Sequence, residues 1–266
     1  MQVEELEAAL QIINSLSKGG QKFMEICDKI RVTVTPTNTF PGLMEKFCTP
    51  TLVTIIQLLQ DFTHIIMENS KKYSIHHFSR SIDSSNNAAL GCSILFIRTR
   101  IPDWFIECEK CIKQSINICK SFAPNDLQFS ASIIFNIGSY LFAAKEYSSA
   151  YRLFKQSKAL AIEISTKNIQ KMYIKSNKCL ALCLIGLDRA DTEEFDEAVV
   201  QSNCDDSVIY SLICWRPPSN PEIVAHYLQL NQKGKNIDGN CVQSQASLSS
   251  QKIFDFDAYF ALHGYT

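Results

Sequence analysis

The sequence predicts an all-α protein in which antiparallel helical hairpins are stacked one after another. Apolar residues recur at intervals of three and four along most of the 266-residue chain, as they do on the buried face of a helix. Residues 134–162 carry two such stripes separated by a short polar break, which indicates two helices joined by a turn. Breaks that contain proline are concentrated in two connections, residues 31–42 and 215–221. Helices that pack in pairs therefore account for most of the chain.

A helix pair opens the chain. The apolar stripes of its two helices are Leu6, Leu10 and Ile13, and then Phe23, Ile26, Cys27 and Ile30. Residues 31–42 (RVTVTPTNTFPG) are rich in β-branched side chains and contain Pro36 and Pro41, so we predict an extended connection there. The helix pair and this connection form a predicted first region over residues 1–42.

Four further helices are predicted over residues 51–67, 70–81, 88–99 and 103–121. The first of them is the most apolar stretch of the chain, but it has only 17 residues and contains Gln57, Gln60, Asp61 and His64. A transmembrane helix needs about 20 predominantly apolar residues, so we predict a buried helix and no membrane span.

The hairpin over residues 131–164 has the most distinctive spacing in the chain. Apolar and small residues occupy seven positions on its two helices: Ile134, Ile137, Gly138, Leu141, Ala150, Phe154 and Ser157. Glycine inside a helix costs about 1 kcal/mol relative to alanine, so Gly138 indicates a close approach of the facing helix, which we expect at Ala150.

This spacing, with Lys145-Glu146-Tyr147 as the turn, resembles the tetratricopeptide repeat. The resemblance covers one repeat, about an eighth of the chain. Ile162 stands where the family has its final proline, and Pro124 lies about one helical turn too far from Gly138 to close a preceding repeat. The resemblance implies an α-solenoid of degenerate repeats that binds other proteins. A generic α-hairpin, which also needs small residues where its helices meet, is the alternative.

The resemblance also implies a binding face, because the first helix of each tetratricopeptide hairpin lines the groove of the solenoid. The corresponding residues here are Ser132, Phe135, Ser139, Phe142 and Ala143. Family members that grip an acidic peptide terminus carry lysine and asparagine at such positions, whereas this chain has aromatic and small residues. The face is therefore expected to pack a hydrophobic helix, either of a partner or of this chain's own neighbouring segment.

The hairpin pattern continues with predicted helices over residues 168–187 and 192–201. The break at residues 215–221 then ends a predicted tetratricopeptide-like region over residues 43–215. The last region, residues 216–266, is predicted to contain a helix to about residue 230, a polar loop and a terminal helix. Its aromatic residues Phe254, Phe256, Tyr259 and Phe260 are expected to dock either on the body of this protein or on a partner.

The eleven cysteines are predicted to be reduced and buried as small hydrophobic side chains, several of them on helical stripes. Cys108-x-x-Cys111 followed by Cys119 is the one grouping that raises the alternatives of a zinc or redox site. A second pair of ligands is missing, so we predict no metal and no cofactor.

The function predicted from these patterns is that of a non-enzymatic scaffold or adaptor within a larger assembly, with other protein subunits as partners. No nucleotide-binding, zinc-protease or hydrolase motif is present, and no catalytic residue is assigned. The net charge of -1 gives no general attraction to nucleic acid or to an anionic membrane. The acidic N-terminus differs from a secretory signal, so an intracellular protein is expected, in the nucleus or the cytoplasm. The alternatives are a helical domain that binds a small molecule or lipid, and a helical domain accessory to an enzyme.

Overall fold

A computed structural model describes residues 3–13, 15–36, 40–164, 167–203 and Val208. Of these residues 85% are helical, and none lies in a strand. The predicted all-α fold class is therefore confirmed for the described part of the chain. No helix within these ranges is long and apolar enough to cross a membrane.

The described residues contain nine α-helices. They are α1 (Val3–Ile13), α2 (Gln21–Val34), α3 (Thr49–Glu68), α4 (Ile75–Thr99), α5 (Pro102–Phe122), α6 (Leu127–Ala143), α7 (Tyr147–Ile164), α8 (Lys167–Gly186) and α9 (Glu193–Gln201). Short 3-10 helices precede α3, α4 and α6, at Gly42–Lys46, Ser70–Lys72 and Pro124–Asp126. The chain divides into two compact units, Met1–Tyr140 and Leu141–Thr266. The predicted region borders at residues 42 and 215 stay predictions.

In the first unit, α4 and α5 pack antiparallel. The rings of Phe78 on α4 and Phe122 on α5 stack with centroids 4.3 Å apart, at the start of one helix and the end of the other. Further along α4, Ser85 Oγ donates to the carbonyl oxygen of Cys111 at 2.8 Å. The chain therefore runs in opposite directions in α4 and α5. The two helices bury much of their surface against each other.

In the first unit, α2 and α4 run parallel. Arg31 Nη1 on α2 donates to Asp83 Oδ2 on α4 at 2.8 Å, and Asn87 Nδ2 donates to Thr35 Oγ1 at 2.8 Å. Both bonds join residues 52 positions apart, so the chain runs in the same direction in α2 and α4. Ser79 Oγ likewise donates to Asp126 Oδ2 at 2.6 Å, immediately before α6.

In the second unit, too, one pair of helices is antiparallel and another is parallel. On α7 and α8, Ser176 Oγ donates to Ser157 Oγ at 3.4 Å, and Gly186 at the end of α8 lies against the Tyr147 ring at the start of α7. The two helices are therefore antiparallel. α9 runs parallel to α7, because its first turn bonds to Tyr151 and its last residue, Gln201, accepts from Lys158 Nζ at 2.8 Å.

Two predicted boundaries are wrong. Residues 31–34, predicted as extended, form the last turn of α2, because Arg31 is held to α4 and the prolines that break the helix come only later. The helices predicted over residues 70–81 and 88–99 are one helix, α4, whose polar middle is buried. Ser85, Asn86 and Asn87 in that middle donate hydrogen bonds to neighbouring segments. The helices predicted over residues 168–187 and 192–201 correspond to α8 and α9 within one residue at each end, with Thr192 as the N-cap of α9. The segments predicted beyond residue 208 lie outside the described residues.

Candidate functional site

The face predicted to bind a partner lies along α6, and its two rings are buried. The side chains of Phe135 and Phe142 are only 5% and 4% exposed. Ser139 is half-buried and its hydroxyl donates to the carbonyl oxygen of Phe135 within the same helix, at 3.0 Å. Ser132 is also half-buried and donates to its own helix, and Ala143 is exposed. The two phenylalanine rings are therefore covered by other residues of the protein, and the accessible part of the face consists of small side chains. Its role in binding stays a prediction.

The seven positions of the tetratricopeptide-like pattern are all buried: Ile134, Ile137, Gly138, Leu141, Ala150, Phe154 and Ser157. Between the two helices, Lys145 adopts a left-handed backbone conformation with φ 63°. The amide groups of Lys145 and Glu146 donate to the last turn of α6 at 2.9 Å each, which ends that helix tightly. The expected approach of Gly138 to Ala150 joins residues of different units and stays a prediction.

A cleft of about 200 Å³ opens between α7 and α9, above α8. Its apolar lining residues are Leu180 and Ala198, and its polar ones are Tyr151, Lys155, Lys158, Glu194 and Glu197. Ligand pockets for small molecules usually span about 300–1,000 Å³. The cleft is smaller than this, so its size does not favour a small-molecule site.

The charges at the rim of this cleft are arranged in pairs. Glu194 accepts from the Tyr151 hydroxyl, from Lys155 Nζ at 3.1 Å and from Arg189 Nη2 at 3.4 Å. The hydrogen bond from Tyr151 holds the pKa of Glu194 below its usual value, and the bond to Glu194 raises the pKa of Lys155. Lys158 Nζ similarly lies 3.3 Å from Glu197. The network fastens α9 to α7, and sequence reasoning missed it because its members are on helices separated by about 40 residues.

Comparison with known proteins assigns no family to this arrangement. The chain matches no protein-family model, no curated protein and no solved structure.

The cysteines of α5 are packed inside the first unit. Cys108, Cys111 and Cys119 are each at most 2% exposed. Burial raises the pKa of the Cys108 thiol well above its ordinary value, which makes the reactive thiolate rare. Gln60 Nε2 lies 3.4 Å from the Cys111 sulfur, and Ser130 Oγ lies 3.3 Å from that of Cys119. Within the described residues, no group of three or more His, Cys, Asp or Glu side chains is placed to hold a metal ion.

Proposed function

We propose that this chain is a non-enzymatic, tetratricopeptide-like scaffold that binds a hydrophobic helix or segment of another protein within a larger assembly. The observation that carries the proposal is the alternation of helix direction in each unit. In the first unit α4 is antiparallel to α5 and parallel to α2, and in the second unit α7 is antiparallel to α8 and parallel to α9. In repeat proteins, hairpins stacked in this manner contact mainly their neighbours and build an extended surface for a partner.

The repeats of this proposal are longer than the family standard. Side-chain bonds between helices two places apart join residues 39 to 52 positions apart, whereas the tetratricopeptide repeat has a period of about 34 residues. The helices α3, α4 and α5, with 20, 25 and 21 residues, supply the extra length. The proposed solenoid is therefore degenerate, with the family's spacing best developed over residues 131–164.

The proposed binding face is the exposed side of α6 around Ser132, Ser139 and Ala143. None of these side chains is charged, and all three are small, so a helix of a partner can approach the α6 backbone closely. Phe135 and Phe142 then support the face from below as buried side chains. None of these residues is a lysine that could pair with an acidic peptide terminus.

The test is co-purification of the full chain with two matched double variants. Ser132→Arg with Ala143→Arg places two bulky charges on the proposed face. Ser148→Arg with Ala159→Arg makes the same two changes at exposed positions of α7. We expect wild type and the α7 variant to co-purify with the same chains, and the α6 variant to lose at least one of them while its melting temperature stays within about 2 °C.

The same partners on all three proteins would place the binding face elsewhere and overturn the α6 assignment. Failure of the wild-type chain to co-purify with any protein would overturn the scaffold function itself.

A further inference from the structure

A buried thiol of α4 lies between two contacts that join this helix to α5. Ser85 Oγ donates to the carbonyl oxygen of Cys111 at 2.8 Å. Further along α4, the ring centroids of Phe96 and of Phe105 on α5 lie 5.5 Å apart. Cys92 comes two turns after Ser85 and one turn before Phe96, so it shares their face of the helix. Its side chain is fully buried.

The thiols of Cys92 and Cys111 are hydrogen-bonded to each other across the two helices. The directions of the helices account for this contact, because side chains tilt toward the N-terminus of their helix and carbonyl oxygens point toward its C-terminus. In the antiparallel pair, the Cys111 carbonyl oxygen therefore faces Ser85, and the Cys111 sulfur faces the later part of α4. Cys92 is the residue that it meets there.

The two thiols have different acidities. The hydrogen bond from Cys92 lowers the pKa of Cys111, and the same bond raises the pKa of Cys92. Gln60 Nε2, 3.4 Å from the Cys111 sulfur, also lowers the pKa of Cys111, while burial and the Glu107 carboxylate oppose the shift. Burial raises the pKa of Cys108 instead. Among these thiols, Cys111 is therefore the one that favours the thiolate.

A single side chain connects the Cys111 sulfur with the surface. Gln60 Nε2 bonds both to this sulfur and to Glu107 Oε1, the latter at 2.8 Å. Gln60 and Glu107 are half-buried, so both also reach solvent. Side chains at the surface change rotamer within nanoseconds. A rotation of Gln60 therefore gives a molecule as small as hydrogen peroxide a route to Cys111.

We propose that Cys92 and Cys111 are a peroxide-sensitive pair that forms a disulfide between α4 and α5. The Cys111 thiolate attacks one oxygen of hydrogen peroxide, so an S–O bond forms, the O–O bond breaks and hydroxide leaves. This hydroxide takes the proton of Cys92 and becomes water. The Cys92 sulfur then attacks the Cys111 sulfenic acid, so the S–S bond forms, the S–O bond breaks and a second hydroxide leaves.

The second hydroxide takes up the proton that Cys111 lost on ionisation. In total, two thiols are oxidised by two electrons and one peroxide is reduced to two waters. The pair differs from the Cys108-x-x-Cys111 spacing of the sequence, because Cys92 precedes Cys111 by 19 residues and meets it only through helix packing. The inference does not depend on the scaffold function.

The test exposes the reduced full chain to hydrogen peroxide until the exposed Cys48 is oxidised. Remaining thiols are then blocked in denaturant, and mass spectrometry maps the unreduced peptides of the monomer fraction. We expect a peptide pair linked through Cys92 and Cys111, which dithiothreitol separates. Cys111→Ser should abolish this product. Cys119→Ser, which removes another buried thiol of α5, is the matched control and should retain it.

Two further measurements follow the order of the steps. Cys111 should lose its thiol at least about tenfold faster than Cys108, since the thiolate fraction changes tenfold for each pKa unit. In Cys92→Ala, the second thiol is missing and oxidation should stop at a sulfenic acid on Cys111, which dimedone labels.

A link between Cys92 and Cys108, or equal rates of loss at Cys108 and Cys111, would overturn the assignment of Cys111 as the attacking thiol. Complete oxidation of Cys48 while Cys92 and Cys111 stay reduced would overturn the whole inference. So would a link that forms only after the chain is unfolded in urea.

Discussion

Phe135 and Phe142 stabilise the folded chain through the apolar surface that they bury. Each side chain is about 5% exposed or less, so truncation leaves a cavity. We predict that Phe135→Ala and Phe142→Ala each lower the free energy of unfolding by about 3–5 kcal/mol. Phe129→Ala, on the same helix but 44% exposed, should cost less than about 1 kcal/mol. Urea denaturation of the three variants measures the difference.

Comparable small losses at all three positions, together with loss of a co-purifying partner from the Phe135 and Phe142 variants, would contradict this result. The two rings would then belong to an open binding groove and not to the interior.

The thiols should differ sharply in reactivity. Cys48 is exposed, so the predicted burial of the cysteines is wrong at this position. Cys27 is buried, and its pKa is raised to about 12 by burial and by the nearby carboxylates of Asp61 and Asp28. Alkylation requires the thiolate. At pH 8 we expect iodoacetamide to modify Cys48 in the native protein, and Cys27 and Cys108 only after unfolding. Peptide mass spectrometry over time measures each site. Rapid native modification of Cys108 would contradict the buried packing of α5.

At the scale of single elements, α4 shows where sequence patterns stop being informative. The run Ser84-Ser85-Asn86-Asn87 lies between the helices predicted over residues 70–81 and 88–99, and serine and asparagine favour caps and turns over helix interiors. In the structure these four side chains are buried within one helix. Ser85 bonds to α5 and Asn87 to α2, so tertiary hydrogen bonds compensate for the low helix propensity. A search for regularly spaced apolar residues does not detect a helix face whose buried residues are polar or small.

The ion pair between α2 and α4 yields a prediction about stability. The side chain of Arg31 is 11% exposed and bridges Asp28 at 2.9 Å and Asp83 at 2.8 Å. We predict that Arg31→Ala lowers the free energy of unfolding by about 1–3 kcal/mol, because it leaves two half-buried carboxylates without this partner. In an Asp83→Asn background the same change should cost less, which a double-mutant cycle measures.

The loss from Arg31→Ala should also depend on pH. Burial raises the pKa of Asp83, and the positive charge of Arg31 opposes this rise. Without Arg31 the folded pKa moves further above the ordinary value of about 4, so stability falls as pH rises through that window. We expect a larger deficit at pH 7 than at pH 4. A deficit that is equal at both pH values would remove Asp83 from the explanation.

At the scale of the whole molecule, the sequence predicts the helical class, the turn between α6 and α7, and the limits of α8 and α9. Apolar stripes carry these predictions directly. The bonds that align helices two places apart cannot be predicted in this manner, since Arg31 and Asp83, or Lys155 and Glu194, are charged residues whose spacing in the sequence does not mark them as partners. The candidate binding face is predicted by resemblance alone, and the burial of its two rings depends on packing that no local pattern encodes.

Zero-length crosslinking tests the packing of the helices most directly. A carbodiimide joins a lysine to a carboxylate only when the two are in contact. The structure places Lys18 against Asp61 at 2.7 Å, Lys155 against Glu194 at 3.1 Å and Lys158 against Glu197 at 3.3 Å. Lys110 and Glu107, three residues apart on α5 and 2.9 Å from each other, report the efficiency of the reagent in any helical fold.

In the monomer fraction we expect mass spectrometry to find all three long-range products beside the local one. They would confirm that α9 packs along α7 and that the turn before α2 lies beside α3. The local product without any of the three long-range products would contradict this packing, and with it the stacked hairpins on which the scaffold function rests.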